Sequence, residues 1–135
     1  MIATLDASAA IELVLNRQYA ETIEALLLDA EYVLAPDVYV SEVTNALWKY
    51  SRSRAPSTLS TAIVEDAVGI PDDLVESRTL FREAFAMAVE QSHPVYDCLY
   101  LVVARRNVAT LVTLDGKLAS LADRLGVTAF PGRKS

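Results

Sequence analysis

Short apolar runs and helix-length amphipathic stretches take turns along this chain, and that alternation most constrains its fold. The runs at 2–5, 32–35 and 110–114 are almost wholly apolar, as strands buried on both faces are. Between them, apolar residues recur every three or four positions. Ile23, Leu26 and Leu27 do so in a helix over about 20–29. Val43, Ala46, Leu47 and Tyr50 do so in a helix opened by Pro36-Asp37 and running to about residue 53. Ser8 is placed to cap a helix over about 9–15, and Ser57 or Thr58 one ending near 68. Residues 74–75 suggest a short strand. A helix over about 77–91 is expected to bury Phe81, Ala84, Phe85 and Ala88, and His93-Pro94 ends it. The stretch 96–106 is apolar nearly all round and belongs at the centre. Asp115-Gly116 turns into a helix that Gly126 stops, and 127–130 reads as a last strand. Strands alternating with helices predict an α/β sandwich with a central parallel sheet flanked by helices. With no internal repeat, the chain reads as one domain over 1–130 and a short basic tail, 131–135.

Four acids fall just past apolar runs. Asp6 ends the first strand, Glu42 sits early in the helix after the second, Asp97 heads the central helix, and Asp115 follows the strand at 110–114. In a parallel α/β sheet, the carboxyl ends of the strands and the first turns of the following helices share the edge where ligands bind. Four acids meeting there repel one another and call for a hard divalent cation, and phosphoryl transfer is the chemistry such a site performs. Each acid also has an ordinary role: Asp6 and Asp115 as helix caps, Glu42 and Asp97 against a helix dipole. The set is harder to explain that way, because Asp97 heads a buried helix and Glu42 lies beyond the first turn. Asn45, one turn after Glu42, is placed to hold its carboxylate, touch substrate or bond at the surface. Ser8 and Thr113, each two residues from an acid, are placed to orient carboxylates.

At 135 residues and 53% hydrophobic content the chain can bury a real core. No run is long enough to span a bilayer, no secretory signal is visible, and Cys98 stands alone, so a cytoplasmic protein is expected. The net charge of −6 argues against a broad nucleic-acid-binding face. Without the four site acids, however, the balance is 14 acidic to 12 basic residues. Lys49, Arg52 and Arg54 form one local basic cluster, Arg105 and Arg106 another, and Arg133 and Lys134 lie on the tail.

Asp6-Ala7-Ser8, Ser41-Glu42-Val43-Thr44-Asn45-Ala46-Leu47, Tyr96-Asp97-Cys98-Leu99-Tyr100-Leu101 and Thr113-Leu114-Asp115 together resemble the motifs of PIN-domain ribonucleases, above all the VapC toxins of bacterial toxin–antitoxin modules. Order, spacing and length fit over essentially the whole chain. The resemblance implies a PIN-like α/β/α sandwich and a Mg²⁺- or Mn²⁺-dependent endoribonuclease. It implies Asp6, Asp97 and Asp115 as metal ligands, and Glu42 as a further ligand or a base orienting the attacking water. It also implies homodimerisation and inhibition by a small VapB-type antitoxin. The chain departs from the pattern in one respect. Some relatives carry a further acid after the last motif, whereas Gly116, Lys117 and Leu118 follow here, which argues against a strong second metal site.

Other chemistries fit less well. His93 is the one histidine and stands beside a proline, so a loop or helix-end role is expected. With one His and one Cys, the usual zinc site cannot be assembled. Cys98 reads as packing, as does Trp48, whose alternatives are RNA or partner binding. The four glycines are scattered and make no phosphate loop. A haloacid-dehalogenase-type phosphatase would want an Asp at position 8, and a phospho-receiver domain paired acids at the first strand. The rival from another class is a non-catalytic PIN-like module that binds RNA or protein.

Overall fold

The computed structural model describes residues 1–53 and 60–131. Strands β1 (Ile2–Leu5), β2 (Tyr32–Pro36), β3 (Asp73–Val75), β4 (Thr110–Thr113) and β5 (Ala129–Pro131) form one sheet in the order β3-β2-β1-β4-β5. Every pairing is parallel, with Ala3 opposite Val33 on one side and Thr110 on the other. Parallel neighbours require crossovers, and helices supply them. Among the described residues these are α1 (Ala7–Val14), α2 (Ala20–Asp29), α3 (Val38–Ser53), α4 (Thr61–Val68), α5 (Phe81–Gln91), α6 (Val95–Arg106) and α7 (Gly116–Arg124). The fold is the expected α/β sandwich with a five-stranded parallel sheet flanked by seven helices. No helix among the described residues is long and apolar enough to cross a membrane.

The apolar patterning accounts for the core. In α6 every residue from Cys98 through Ala104 is buried, because the helix lies across β1, β2 and β4 with α5 on its other side. Charged side chains occur only at its two ends. In α3, Tyr39, Val43 and Leu47 recur at helical spacing and are wholly buried.

The order of the strands locates the site. From β1 the chain moves outward to β2 and β3, then returns to place β4 on the other flank of β1. The direction of winding reverses between β1 and β4, and the crevice beyond the carboxyl ends of such strands is where open α/β sheets bind ligands. Asp6 and Asp115 close β1 and β4 at that crevice.

Several expectations are corrected. The first helix begins at Ala7, so Asp6 rather than Ser8 is its N-cap. Pro36 ends β2 instead of opening α3. Ser60 stands at the N-cap of α4, and Ser57 and Thr58 lie outside the described residues, as do Arg54 and the tail residues Arg133 and Lys134. The last strand starts at Ala129, because Val127 instead donates its N–H to the Ala122 carbonyl at the end of α7. The largest correction is in α5. Leu80, Ala84 and Met87 face inward, while Phe81 and Phe85 are exposed. Both sets have helical spacing. The small Ala84 lets α5 approach α6 closely, so that stripe is the one buried. Phe81 is flanked instead by the Arg82 guanidinium, 5.7 Å from its ring centre.

Thr4 is fully buried in β1, and its Oγ1 has no hydrogen-bond partner among the described residues. Such a hydroxyl costs its desolvation without return. Thr4→Val keeps the shape and is expected to raise stability by about 1 kcal/mol, measured by urea unfolding.

Candidate functional site

Four elements deliver one acid each to the crevice. Asp6 follows β1 and caps α1; its backbone N–H continues the β1–β4 ladder with a 3.0 Å bond to the Val112 carbonyl. Asp115 follows β4 and caps α7. Glu42 stands in the second turn of α3, and Asp97 in the first turn of α6.

The hydrogen bonds show a common arrangement. Asp6 is only 6% exposed, and its Oδ2 accepts from the Ser8 hydroxyl at 2.5 Å, the Thr113 hydroxyl at 2.8 Å and the Ser8 N–H at 3.4 Å. Glu42 Oε1 accepts from the Tyr100 hydroxyl at 2.6 Å. Asp97 Oδ2 lies 2.7 Å from His93 Nε2. Asp115 Oδ1 accepts from the N–H groups of Lys117 and Leu118 at 2.9 and 3.2 Å. Each carboxylate commits one oxygen to the protein. Among the described residues, the second oxygen of each accepts no hydrogen bond. Carboxylates anchored by one oxygen, with the other available, suit a hard cation.

Electrostatics ties the four together. Burial raises the Asp6 carboxyl above its ordinary 3.8; the Ser8 and Thr113 hydroxyls pull it down, and the charges of Asp115 and Asp97 push it up further. Burial likewise raises Glu42 above 4.5, against the Tyr100 bond and with the charges of Asp6, Asp97 and Asp115 adding to it. Two acids thus sense the charges of their neighbours, as groups around one point must. Among the described residues, no three of Asp, Glu, His or Cys already close on a point as a metal-binding group. The helix cap at Asp115 and the His93 contact at Asp97 hold those carboxylates on their own elements.

A pH dependence follows from these shifts. Carboxyls whose native pKa is raised bind protons more tightly folded than unfolded, so stability falls as pH rises from the ordinary values through the raised native ones. Metal-free protein is expected to show a melting temperature that declines as pH rises above the ordinary carboxyl values of 3.8 and 4.5. Glu83, held below its ordinary value by Arg105 and Arg106, acts in the opposite sense, but at lower pH. A thermal melt series in EDTA, repeated in Mg²⁺, measures the effect, and Mg²⁺ should flatten it by offsetting the negative charge.

The other singled-out residues divide. Ser8 and Thr113 do contact Asp6, and Thr113 Oγ1 also accepts the Asp115 N–H at 2.9 Å, joining two acids through one hydroxyl. Ser8 Oγ accepts the Leu114 N–H at 3.0 Å, fastening the end of β4 to α1. Asn45 is exposed, and Glu42 is held by Tyr100 instead. Tyr100 is buried and lies 58 residues from Glu42, so no local pattern announces it. His93 is not merely a helix end: it reaches Asp97 one turn along, and the i, i+4 spacing was the available signal. Cys98 is buried, and burial, then Asp97, pushes its thiol up, as expected of a packing residue. Trp48 is 52% exposed rather than packed in the core. Arg105 and Arg106 both bond to Glu83, at 2.7 and 3.1 Å, so one carboxylate offsets half of that pair's charge.

The family described as PIN domain matches residues 3–124. The chain is 27% identical over 124 residues to Ribonuclease VapC3 of Pyrobaculum aerophilum, covering 85% of this chain and 90% of that protein. It superposes on PAE2754 from Pyrobaculum aerophilum with a TM-score of 0.73 at 24% identity, over 96% of this chain and 92% of that one. VapBC2 from Rickettsia felis, solved bound to a DNA fragment from their promoter, gives a TM-score of 0.64 at 13% identity, over 96% and 97% of the two chains. These structural likenesses carry the fold.

Proposed function

Because this chain belongs to the PIN-domain family, we propose that it is a metal-dependent endoribonuclease, the toxin of a VapBC-type module that cleaves RNA to inhibit translation. The carrying observation is the placement of four acids at the carboxyl edge of the sheet around the buried Asp6, each anchored through one oxygen with the other available. Asp6, Asp97 and Asp115 hold a Mg²⁺ or Mn²⁺ ion, directly or through water. Glu42 is a further ligand or the base that orients the attacking water. The ion supplies phosphate polarisation and a water of lowered pKa. The chain's own part is positioning. Ser8 and Thr113 fix Asp6 through Oδ2, so that Oδ1 is its available oxygen. Tyr100 does the same for Glu42, leaving Oε2. The α7 N-terminus fixes Asp115, and His93 fixes Asp97.

The partners this reading assigns are RNA, a small VapB-type antitoxin and a second copy of the chain, with the cytoplasm as the place of action. The name of the Pyrobaculum ribonuclease and the VapBC assembly among the structural relatives support it. The alternative, a non-catalytic PIN-like binding module, draws on the absence of a closed three-acid group among the described residues. Brief induction of wild type and Asp97→Asn in cells lacking the partner, followed by sequencing of RNA 5′ ends, separates the two. New ends in wild type only support the nuclease; identical end profiles from both proteins support the binding module.

A further inference from the structure

The far end of α3 carries a feature that the acid site does not use. Trp48 projects from the helix half-exposed, with the Arg52 guanidinium 5.0 Å from its ring centre. Lys49 beside it is exposed. Two cations and an aromatic ring are therefore gathered on one face of a helix in a protein whose net charge is −6. The helix also sets their direction. At 3.6 residues per turn, Asn45, Trp48, Lys49 and Arg52 share one exposed arc, and Lys49 lies almost directly along the axis from Glu42. Arg52 is about 15 Å along the helix from Glu42. The stripe thus begins at the acid site and becomes basic and aromatic away from it.

We propose that Trp48 and Arg52 form a base-stacking platform, with Lys49 as a phosphate contact, that holds single-stranded RNA a few nucleotides from the acid site. The proposal rests on the endoribonuclease reading. An exposed indole offers a π-face that any base can stack on, and a guanidinium stacked beside it extends that surface. Neighbouring cations neutralise phosphates and release counterions. This is the complementarity a polynucleotide needs on an otherwise acidic protein. It also separates tasks: the acid site repels the backbone without a cation, and the basic end of α3 supplies the attraction.

Trp48 is the one tryptophan, so its fluorescence reports on this platform alone. The probe is a short single-stranded oligouridylate labelled with fluorescein, titrated in EDTA so that binding is read without cleavage. Wild type is expected to bind, with quenching of Trp48 that follows the fluorescein anisotropy and an affinity that falls as salt rises. Trp48→Ala should weaken binding about ten-fold, Trp48→Phe should recover most of that loss, and Lys49→Gln with Arg52→Gln should flatten the salt dependence. A matched abasic ribose-phosphate chain should bind without quenching. Binding that leaves Trp48 fluorescence unchanged, or equal affinity in Trp48→Ala, overturns the platform, as does no binding at any salt. If Trp48→Ala instead changes the sedimentation of the protein and leaves RNA affinity intact, the patch is a protein interface and the proposal is wrong. None of these outcomes alters the RNA-end comparison, which decides the endoribonuclease reading separately.

Discussion

Purified Asp97→Asn protein is expected to cleave RNA at least about 100-fold more slowly than wild type, because a metal site contributes several kcal/mol and each 1.36 kcal/mol is a factor of ten. The substitution is nearly isosteric and keeps an oxygen to face His93. What it removes is a charge from the crevice, at the head of a helix whose next seven residues are buried. A fold defect would lower expression and melting temperature together with activity. A site defect leaves the melt near that of wild type while cleavage collapses. His93→Gln gives the useful contrast, since an amide can still donate to Asp97; a loss much smaller than that of Asp97→Asn is expected. Gel-based cleavage rates in Mg²⁺ across the three proteins measure it, and undiminished cleavage by Asp97→Asn would remove this residue from the mechanism.

Asp6→Asn is expected to abolish activity and yet make the metal-free protein more stable. Asp6 is nearly wholly buried, and burial with the charges of Asp115 and Asp97 disfavours its ionised form. An Asn oxygen can still accept the Ser8 and Thr113 hydroxyls, and Asn serves as an N-cap about as well as Asp. The substitution therefore removes the repulsion and keeps the bonds. The gain is a few degrees of melting temperature in EDTA, the scale of roughly 1 kcal/mol in a domain of this size. Mg²⁺ should raise the melting temperature of wild type more than that of the variant, because an ion that binds only the native state stabilises it by mass action. If Asp6 were a cap and nothing more, the two proteins would melt together in EDTA and shift together in Mg²⁺.

The sequence makes the frame legible for identifiable reasons. β1, β2 and β4 are near-continuous apolar runs because both faces of a parallel strand are covered. α6 is apolar all round because it is packed on both sides. Asp6 and Asp115 are visible as acids at strand ends. What is not legible depends on tertiary choice. The α5 sequence contains two apolar stripes, Phe81-Phe85 and Leu80-Ala84-Met87, and only the approach of α6 decides between them. Tyr100 sits in an apolar stretch where its ring reads as core; its hydroxyl matters because α3 crosses nearby. Trp48 reads as core by size, yet it lies on the outer arc of α3 beside Arg52. His93 and Asp97 have the i, i+4 spacing, but Pro94 stands between them and α6 begins only at Val95, so spacing alone does not state the pair.

The central claim is that the four acids act on one divalent ion, and calorimetric titration of Mn²⁺ tests it most directly. Wild type, Asp6→Asn, Glu42→Gln, Asp97→Asn and Asp115→Asn are each titrated after removal of metal, at one pH and ionic strength. Saturable binding to wild type is predicted, with affinity lowered about ten-fold or more by each of the three Asp→Asn changes, and by Glu42→Gln if Glu42 is a ligand rather than the base. Equal affinity in all five proteins, or no saturable binding to wild type, would contradict the account.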